Sequence, residues 1–243
     1  MKSLLNLTLL FLLLGNNPAN AQPKMKNGWL SLFDGKTLTG WRQAQKDTFP
    51  DAGWSAQNGE LSFDPAKDHG TDIITTRSFS NFELSVDFKV SEGGNSGIKY
   101  FLLPNTSLGC EFQIIDDSKH PDAKLGIDGN RKTGALYDIF PASADKPYKG
   151  AGVWNTARIV VKGNHVEHWL NGVKILEYQR GSDAFKQAIA KSKFKTTTGF
   201  AEATSSPILL QAHGDKVSFR NIKIKELSPY SRPVAFNLTA HPL

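Results

Sequence analysis

Residues 157–178 read ARIVVKGNHVEHWLNGVKILEY. They contain three strand-like runs, which are Ala157–Lys162, Val166–Leu170 and Val173–Tyr178. In such runs apolar and polar side chains alternate, as is typical of a β-strand with one buried face. Gly163-Asn164 separates the first two runs and Asn171-Gly172 the last two. An Asn-Gly pair between alternating runs is a strong hairpin signal, so the stretch predicts three antiparallel strands joined by tight turns.

The rest of the chain repeats this pattern of strands and turns. Phe82–Val90 alternates apolar and polar residues along its whole length, which predicts a half-buried strand. Further strands are predicted at Trp54–Phe63, Asp72–Thr76, Gly97–Leu103, Cys110–Ile115, Pro207–His213 and Val217–Glu226. Asp183–Ser192 is predicted to be helical, because its apolar residues fall on one short face. Many strands and at most one short helix predict an all-β fold, a two-sheet antiparallel sandwich.

The first 21 residues have the pattern of a secretory signal peptide. Leu4–Leu14 is largely apolar, and the small residues Ala19 and Ala21 mark a cleavage site. The apolar stretch is too short to span a bilayer, which disfavours a membrane anchor. We therefore expect export to the periplasm or the cell exterior, with residues 22–243 forming a single domain that has no membrane segment.

Charge and cysteine content exclude several classes of protein. The net charge of +6 is mild, and the basic residues are scattered among acidic ones rather than clustered. This disfavours a nucleic-acid partner. Cys110 is the only cysteine, so no intramolecular disulfide can form and the core must stabilise the fold. We interpret Cys110 as a small apolar core residue rather than a nucleophile.

The strand that begins at Cys110 carries candidate catalytic groups. Side chains alternate across a strand, so Glu111 and Gln113 share one face while Phe112 and Ile114 point into the core. A bulge, or the end of the strand, would return Asp116 to the face of Glu111. Two carboxylates and an amide on one face form a plausible catalytic row. The alternative is an edge strand with solvated acids.

Several motifs of the chain resemble a known family. They are GWLSLFDGKTLTGW at 28–41, NSGI at 95–98, EFQIID at 111–116, TGALY at 133–137, WN at 154–155, GNH at 163–165, HWLNG at 168–172, HG at 213–214 and FRNI at 219–222. In this order they resemble the bacterial domain of unknown function 1080, described as the 3-keto-disaccharide hydrolase domain. The resemblance implies the concanavalin-like jelly roll that is shared with retaining endoglucanases.

The resemblance also implies a carbohydrate substrate and an unusual reaction. Endoglucanases of this fold carry Glu-x-Asp-x-x-Glu on the catalytic strand, where this chain has Glu111, Gln113 and Asp116. The missing middle carboxylate and the shorter last acid disfavour direct displacement. A ketone at C3 acidifies the proton on C2, so a base can remove it and expel the leaving group by elimination, and water then adds to the enone. This route needs a base, an oxyanion stabiliser and a proton donor.

Two further residues are candidates for catalysis beside Glu111 and Asp116. His213 follows a predicted strand and titrates near neutral pH, so it suits proton transfer, although it could equally cap a loop. Lys99 could polarise a keto oxygen, although an exposed lysine on a sheet is the commoner case. We expect Glu111 to act as base or acid with His213 as its partner, and Asp116 and Lys99 to orient or polarise the substrate.

Six residues are candidates for substrate binding: Gln113, Tyr137, Trp154, Asn155, His168 and Arg131. Gln113 would bind hydroxyl groups, and the aromatic rings could stack on sugar rings or pack in the core. Asn155 could bind a hydroxyl or hold a turn. His168 shares a face with Val166 and Leu170, which favours a structural histidine satisfied by a hydrogen bond. Arg131 could close over the site from its loop.

No cofactor or metal is predicted. His165 and His168 point to opposite faces of a strand, and the 122–130 loop has too few ligands for an EF-hand. A structural calcium is compatible with the sequence but not indicated. The leading hypothesis is an exported enzyme that cleaves 3-keto-glycosides, with a small carbohydrate as its partner. A carbohydrate-binding module without activity and an ordinary retaining glycosidase are the alternatives.

Overall fold

The computed structural model describes residues 26–228, which form two antiparallel sheets. The predicted signal peptide lies outside the described residues. The strands are β1 Trp29–Ser31, β2 Trp41–Gln43, β3 Trp54–Gln57, β4 Glu60–Phe63, β5 Ile73–Thr75, β6 Phe82–Val90, β7 Asn95–Tyr100, β8 Cys110–Ile115, β9 Asn155–Lys162, β10 His165–Leu170, β11 Val173–Gln179, β12 Leu209–Leu210 and β13 Val217–Glu226. The helix α1 spans Asp183–Lys191, and short 3-10 turns lie at Lys26–Gly28 and Pro121–Lys124.

The larger sheet has eight strands in the order β11-β10-β9-β6-β13-β4-β3, with β1 also paired to β13. The smaller sheet has five in the order β2-β5-β12-β7-β8. In β6, buried and half-buried residues alternate strictly along all nine positions. The rings of Phe88 on β6 and Phe112 on β8 meet between the sheets at 6.4 Å. The predicted all-β sandwich with one short helix is therefore confirmed.

The turns follow from asparagine and glycine at positions that require positive φ. Asn171 and Gly172 have φ values of 48° and 87°, as a type I′ hairpin turn needs. Asn58 and Gly59 adopt the same geometry, with φ values of 53° and 79°. The prediction of one strand over Trp54–Phe63 was therefore wrong, because this second Asn-Gly pair folds the segment into the hairpin β3–β4.

Other boundaries also differ from the sequence prediction. The strand predicted at Gly97–Leu103 begins earlier, at Asn95, and ends at Tyr100. The strand predicted at Pro207–His213 is reduced to Leu209–Leu210. The short strands β1 and β2 were not predicted. Among the described residues, no helix is long and apolar enough to cross a membrane.

The helix α1 and the segment after it pack against the end of the sandwich. Ser182 caps the helix by accepting a hydrogen bond from the backbone N–H of Phe185 at 3.2 Å. The ring of Phe185 stacks on Tyr178 of β11 at 5.6 Å. Beyond the helix, Phe194 and Phe200 stack at 4.2 Å. These contacts help to fix the segment around residue 193, which lines the candidate site.

Candidate active site

A polar cleft opens on the outer face of the five-stranded sheet. It encloses about 350 Å³ of empty space, including its open mouth. Its lining residues are Asn95, Lys99, Ser107, Leu108, Gly109, Glu111, Gln113, Tyr137, Lys193, Phe194, Gln211 and His213. Five of the ten predicted site residues meet here, namely Glu111, His213, Lys99, Gln113 and Tyr137. Asn95, Gln211 and Lys193 were not predicted as site residues.

The floor of the cleft follows from the antiparallel register of β7 and β8. Lys99 lies opposite Glu111, and Gly97 lies opposite Gln113. Directly paired residues point to the same side of a sheet, so these groups share the outer face. Gln211 lies next to Gly97 across the sheet, because its backbone N–H donates to the carbonyl of Gly97 at 3.0 Å. The predicted common face of Glu111 and Gln113 is thus present.

Glu111 is nearly enclosed by protein, with 6% of its surface exposed. Its carboxylate lies 3.6 Å from the Lys99 ammonium. Gln211, with its amide oriented to satisfy both neighbours, donates to Glu111 at 3.2 Å and accepts from Lys99 at 2.9 Å. Desolvation raises the pKa of Glu111, although Lys99, Lys193 and His213 oppose the shift. A carboxylate with a raised pKa is a stronger base than an ordinary glutamate.

Gly97 leaves the space that the Glu111 carboxylate occupies. A β-carbon built on Gly97 would lie 2.2 Å from Oε1 of Glu111 and 2.8 Å from its Cδ. Any side chain at position 97 would therefore push the carboxylate out of its present place.

Lys193 and Tyr137, which together we call the cationic wall, line the cleft that holds Glu111. Lys193 lies over the ring of Tyr137, with its Nζ 4.1 Å from the ring centroid. Desolvation and the positive charge of Lys99 lower the pKa of Lys193, while Glu111 opposes the shift. The backbone N–H of Lys193 donates to Asp138 at 2.7 Å, which fixes this segment at the cleft.

Arg131 lies behind this wall rather than in the cleft. Its Nε donates to Asp138 at 2.6 Å and its Nη1 to Asp122 at 2.7 Å. Asp122 in turn accepts from the Tyr137 hydroxyl at 2.8 Å. Arg131 therefore positions Tyr137 and the Lys193 segment, and it is not free to close over a substrate as expected.

His213 lies at the mouth of the cleft, in the turn after β12. It has a φ of 47°, and its exposed ring meets that of His120 at 6.5 Å between centroids. The location at the end of a strand agrees with the sequence-based expectation. The ring is therefore open to solvent at the edge of the cleft that holds Glu111.

Asp116 is not in the cleft, although the sequence placed it beside Glu111. It follows the end of β8 and accepts hydrogen bonds from the backbone of Gly93, Ser118 and Lys119 and from the Ser118 hydroxyl. Desolvation pushes the pKa of Asp116 upward, but these bonds outweigh it and hold the pKa at about 2. The arrangement is that of a carboxylate that fixes turns, so Glu111 is the one carboxylate among the described residues that line the cleft.

Asn155 begins β9 of the other sheet, and Trp154 directly precedes it. The Trp154 ring packs between Arg220, whose guanidinium carbon lies at 4.0 Å, and Lys89, whose Nζ lies at 4.5 Å. Asn155 accepts from the backbone N–H of Lys149 at 3.0 Å and donates to the carbonyl of Val153. Neither side chain lines the cleft. Asn155 holds a turn, which was the alternative to binding a hydroxyl.

His168 is fully buried between the two sheets. Its Nδ1 donates to the carbonyl of Gly134 at 2.9 Å, and its Nε2 accepts from the Tyr100 hydroxyl at 2.6 Å. Burial lowers the pKa of His168 to about 4. The ring is the structural histidine that its sequence context favours, and it does not reach the cleft. Cys110 is likewise buried, which raises its pKa to about 12 and argues against a nucleophilic role.

Among the described residues, one cluster of side chains could hold a metal ion, and it lies away from the cleft. His165, Glu167 and Glu177 on the hairpin β10–β11 bring ligand atoms within 4.8 Å of one another. Lys174 already pairs with Glu177, and Trp169 donates to Glu167 at 2.8 Å. These partners compete with a cation, so the cluster suits an ion-pair network on the eight-stranded sheet.

Comparison with known proteins agrees with the fold. Residues 28–225 match the family model of the 3-keto-alpha-glucoside-1,2-lyase-like domain. A Bacteroides thetaiotaomicron protein named 3-keto-disaccharide hydrolase is 37% identical over 237 residues, which cover 84% of this chain and 80% of that protein.

Two solved structures from Parabacteroides distasonis, both assigned provisionally to the glycosyl hydrolases, are also similar. One is 32% identical with a TM-score of 0.75, covering 83% of this chain and 94% of its own. The other is 29% identical with a TM-score of 0.57, covering 77% and 99%. The family resemblance in the sequence motifs is confirmed. The chain is a glycoside hydrolase-like enzyme and belongs to the family of 3-keto-alpha-glucoside-1,2-lyase-like domains.

Proposed function

We propose that this enzyme cleaves 3-keto-glycosides, including 3-keto-disaccharides, by elimination followed by hydration. The observation that carries the proposal is the composition of the cleft. It combines one buried carboxyl group, Glu111, with the ammonium groups of Lys99 and Lys193 and the imidazole of His213. The name of the Bacteroides thetaiotaomicron relative supports the same substrate class.

The alternative of an ordinary retaining glycosidase fits this cleft poorly. That mechanism uses two carboxyl groups about 5–5.5 Å apart, one as nucleophile and one as acid and base. Glu111 has no second carboxyl group among the described residues that line the cleft, and the backbone and Ser118 already occupy Asp116. An elimination needs only one base, provided that a neighbouring ketone acidifies the proton to be removed.

In the proposed reaction the Glu111 carboxylate removes the proton from C2 of the 3-keto sugar. The electron pair of the C2–H bond delocalises onto the C3 oxygen as an enolate. The electron pair of the enolate then forms the C1–C2 double bond as the C1–O bond breaks, and the leaving oxygen takes a proton. Water adds to C1 of the resulting enone and C2 regains a proton, which gives the free 3-keto sugar and the released alcohol.

The positive charges around Glu111 stabilise both its carboxylate and the oxyanion that forms on the substrate. Lys99 and Lys193 both act on Glu111 electrostatically, so a negative charge that moves from its carboxylate to the substrate stays near two cations. Preorganised positive charge at the site of a developing oxyanion is a large source of rate enhancement. His213 at the mouth would supply the proton to the leaving group. We further propose, from the pattern of residues 1–21, that the enzyme works after export.

The test compares a 3-keto-glucoside with its unoxidised parent. Wild-type enzyme is expected to cleave only the keto compound, because the parent lacks an acidic C2 proton. Glu111→Gln is expected to lower kcat by about 10³-fold, within the range for loss of a general base. Glu60→Gln is the matched control, since Glu60 pairs with Lys89 on the other sheet.

Cleavage of the unoxidised parent at a similar rate would contradict the elimination and favour an ordinary glycosidase. Binding of both compounds without cleavage would favour a carbohydrate-binding module. Full activity of Glu111→Gln on the keto compound would overturn the assignment of the base.

A further inference from the structure

Asn95 carries a buried polar atom that the fold itself does not use. Its side chain lines the cleft, and only 4% of the residue is exposed. Within the part of the chain that the structure describes, its Oδ1 makes no hydrogen bond. Buried polar atoms are nearly always hydrogen-bonded, because an unpaired one loses its interactions with water without compensation. The unpaired oxygen therefore points to a partner that arrives with the ligand.

The backbone of Asn95 is held firmly although its amide oxygen is unpaired. The backbone N–H of Asn95 donates to Asp215 at 3.0 Å, in the turn that follows His213. On the other side, Asp116 accepts from the backbone N–H of Gly93 at 2.8 Å and so fixes the turn that leads into β7. An anchored backbone limits where the amide can lie, which reduces the entropy that binding would cost. Asp116 thus acts at the cleft indirectly, through the backbone that carries Asn95.

The position of Asn95 suits contact with the sugar ring that reacts. It lies on β7 two residues before Gly97, over which the Glu111 carboxylate packs, so both side chains face the same cleft. Lys99 and Lys193 in the same cleft can only donate hydrogen bonds, so the Asn95 oxygen adds an acceptor beside these donors. A sugar hydroxyl is a donor that an amide oxygen can accept.

We propose that Oδ1 of Asn95 accepts a hydrogen bond from the 4- or the 6-hydroxyl of the 3-keto sugar and makes the enzyme specific for sugars that carry that hydroxyl. This inference deepens the proposed function and rests on it. Sites built to hydrogen-bond a hydroxyl discriminate strongly against analogues that lack it, because a buried partner is then left unpaired.

The experiment measures kcat/KM of wild-type and Asn95→Leu enzyme on a 3-keto-glucoside and on its 4-deoxy and 6-deoxy analogues. Leucine has nearly the shape of asparagine but no acceptor. We expect Asn95→Leu to lower kcat/KM on the parent by about 10- to 100-fold, the size expected when a buried hydrogen bond is lost. On one of the two deoxy analogues wild type and variant should be equal, because the hydroxyl that Asn95 recognises is absent.

Two controls separate recognition from a structural role. Asn95→Leu should keep or raise the melting temperature without ligand, because it removes an unpaired buried oxygen. Asn81→Ala is the matched asparagine variant, since Asn81 accepts from the backbone N–H of Gly163 at 2.6 Å on the other sheet. It should show the wild-type preference among the three substrates.

Equal losses of Asn95→Leu on the parent and on both deoxy analogues would overturn the inference, as would a melting temperature that falls like that of a core variant. If wild type cleaves none of the keto compounds, the proposed function fails. The same comparison is then made with calorimetric binding of the unoxidised sugar and its deoxy analogues. Absence of binding, or affinities that do not depend on the hydroxyl in wild type, would overturn the inference independently.

Discussion

The strands β7 and β8 carry buried polar groups on both faces, and the two faces differ in how those groups are satisfied. On the inner face the Tyr100 hydroxyl contacts His168 at 2.6 Å and Tyr178 at 3.0 Å, and His168 is hydrogen-bonded through both ring nitrogens. On the outer face Glu111 is desolvated, and the side-chain oxygen of Asn95 in the same cleft is unpaired. Burial alone therefore does not identify a functional group. We take incomplete hydrogen bonding inside a cleft as the sign of a functional group.

The largest effect is expected from removing the hydrogen-bonded ring of His168 on the inner face. His168→Ala would leave the Tyr100 hydroxyl and the Gly134 carbonyl without this partner and would open a cavity. We expect a loss of about 3–5 kcal/mol in the free energy of unfolding, as for other large buried truncations. Denaturant unfolding measures this loss. The kcat/KM of the folded fraction should stay within about two-fold of wild type, which corresponds to a small free energy. A stable but inactive variant would contradict the structural role of His168.

The inner face also predicts a pH dependence of stability. The pKa of His168 falls from 6.5 in its ordinary state to about 4 in the fold. A depressed pKa gives stability that is present above pH 6.5 and is lost as the pH falls through 4, because the unfolded chain binds the proton first. The wild-type protein should lose about 3 kcal/mol over this window relative to a His168→Ala reference. Parallel stability curves for the two proteins would contradict the assignment.

On the outer face, Gly97→Ala should separate activity from stability. The backbone of Gly97 does not need positive φ, so the added methyl group acts mainly by displacing the Glu111 carboxylate. We expect kcat/KM to fall by about 100-fold, as for a comparable misplacement of a catalytic group. Adding Glu111→Asp to Gly97→Ala should cost less than Glu111→Asp costs alone, because the shorter side chain relieves the clash. Strictly additive losses would show that the two residues act independently.

The smallest effect is expected at the cationic wall. Lys193→Met should lower kcat/KM by about 10-fold, as for loss of one charged stabilising contact. The acid limb of its pH profile should move to higher pH, because Lys193 helps to hold down the pKa of Glu111. Lys191→Met and Lys195→Met are matched controls, since both lysines are exposed neighbours outside the cleft lining. An unchanged acid limb in Lys193→Met would contradict the electrostatic coupling.

The sequence predicted those features that depend on period-two alternation. It placed Glu111 and Gln113 on one face and His168 on the core face, because side-chain direction along a strand is local information. The same rule also puts Gln211 on the face of Leu209, but Ile208, Leu209 and Leu210 are all apolar, so alternation does not tell that this face lines a cleft. Asn58-Gly59 is a hairpin signal of the same kind as Asn171-Gly172, so the β3–β4 hairpin is also local information.

Other parts of the site could not be predicted from local pattern. Trp154 and Asn155 precede or begin a strand of the eight-stranded sheet, and nothing local tells which sheet a strand will join. Lys193 reaches the cleft only because the Phe194–Phe200 stack and the bond to Asp138 bring its segment there. Asp116 was misplaced because the turn that it fixes, at Gly93, is distant in sequence.

Proton abstraction from C2 by Glu111 is the central claim, and solvent deuterium tests it most directly. Wild-type enzyme would cleave a 3-keto-glucoside in D₂O, and NMR would count deuterium at C2 of the product, corrected for exchange of the authentic product without enzyme. The account predicts one enzyme-dependent deuterium at C2 with wild type, and almost none over the same time with Glu111→Gln. Cleavage by wild type that leaves the original hydrogen on C2 would contradict it.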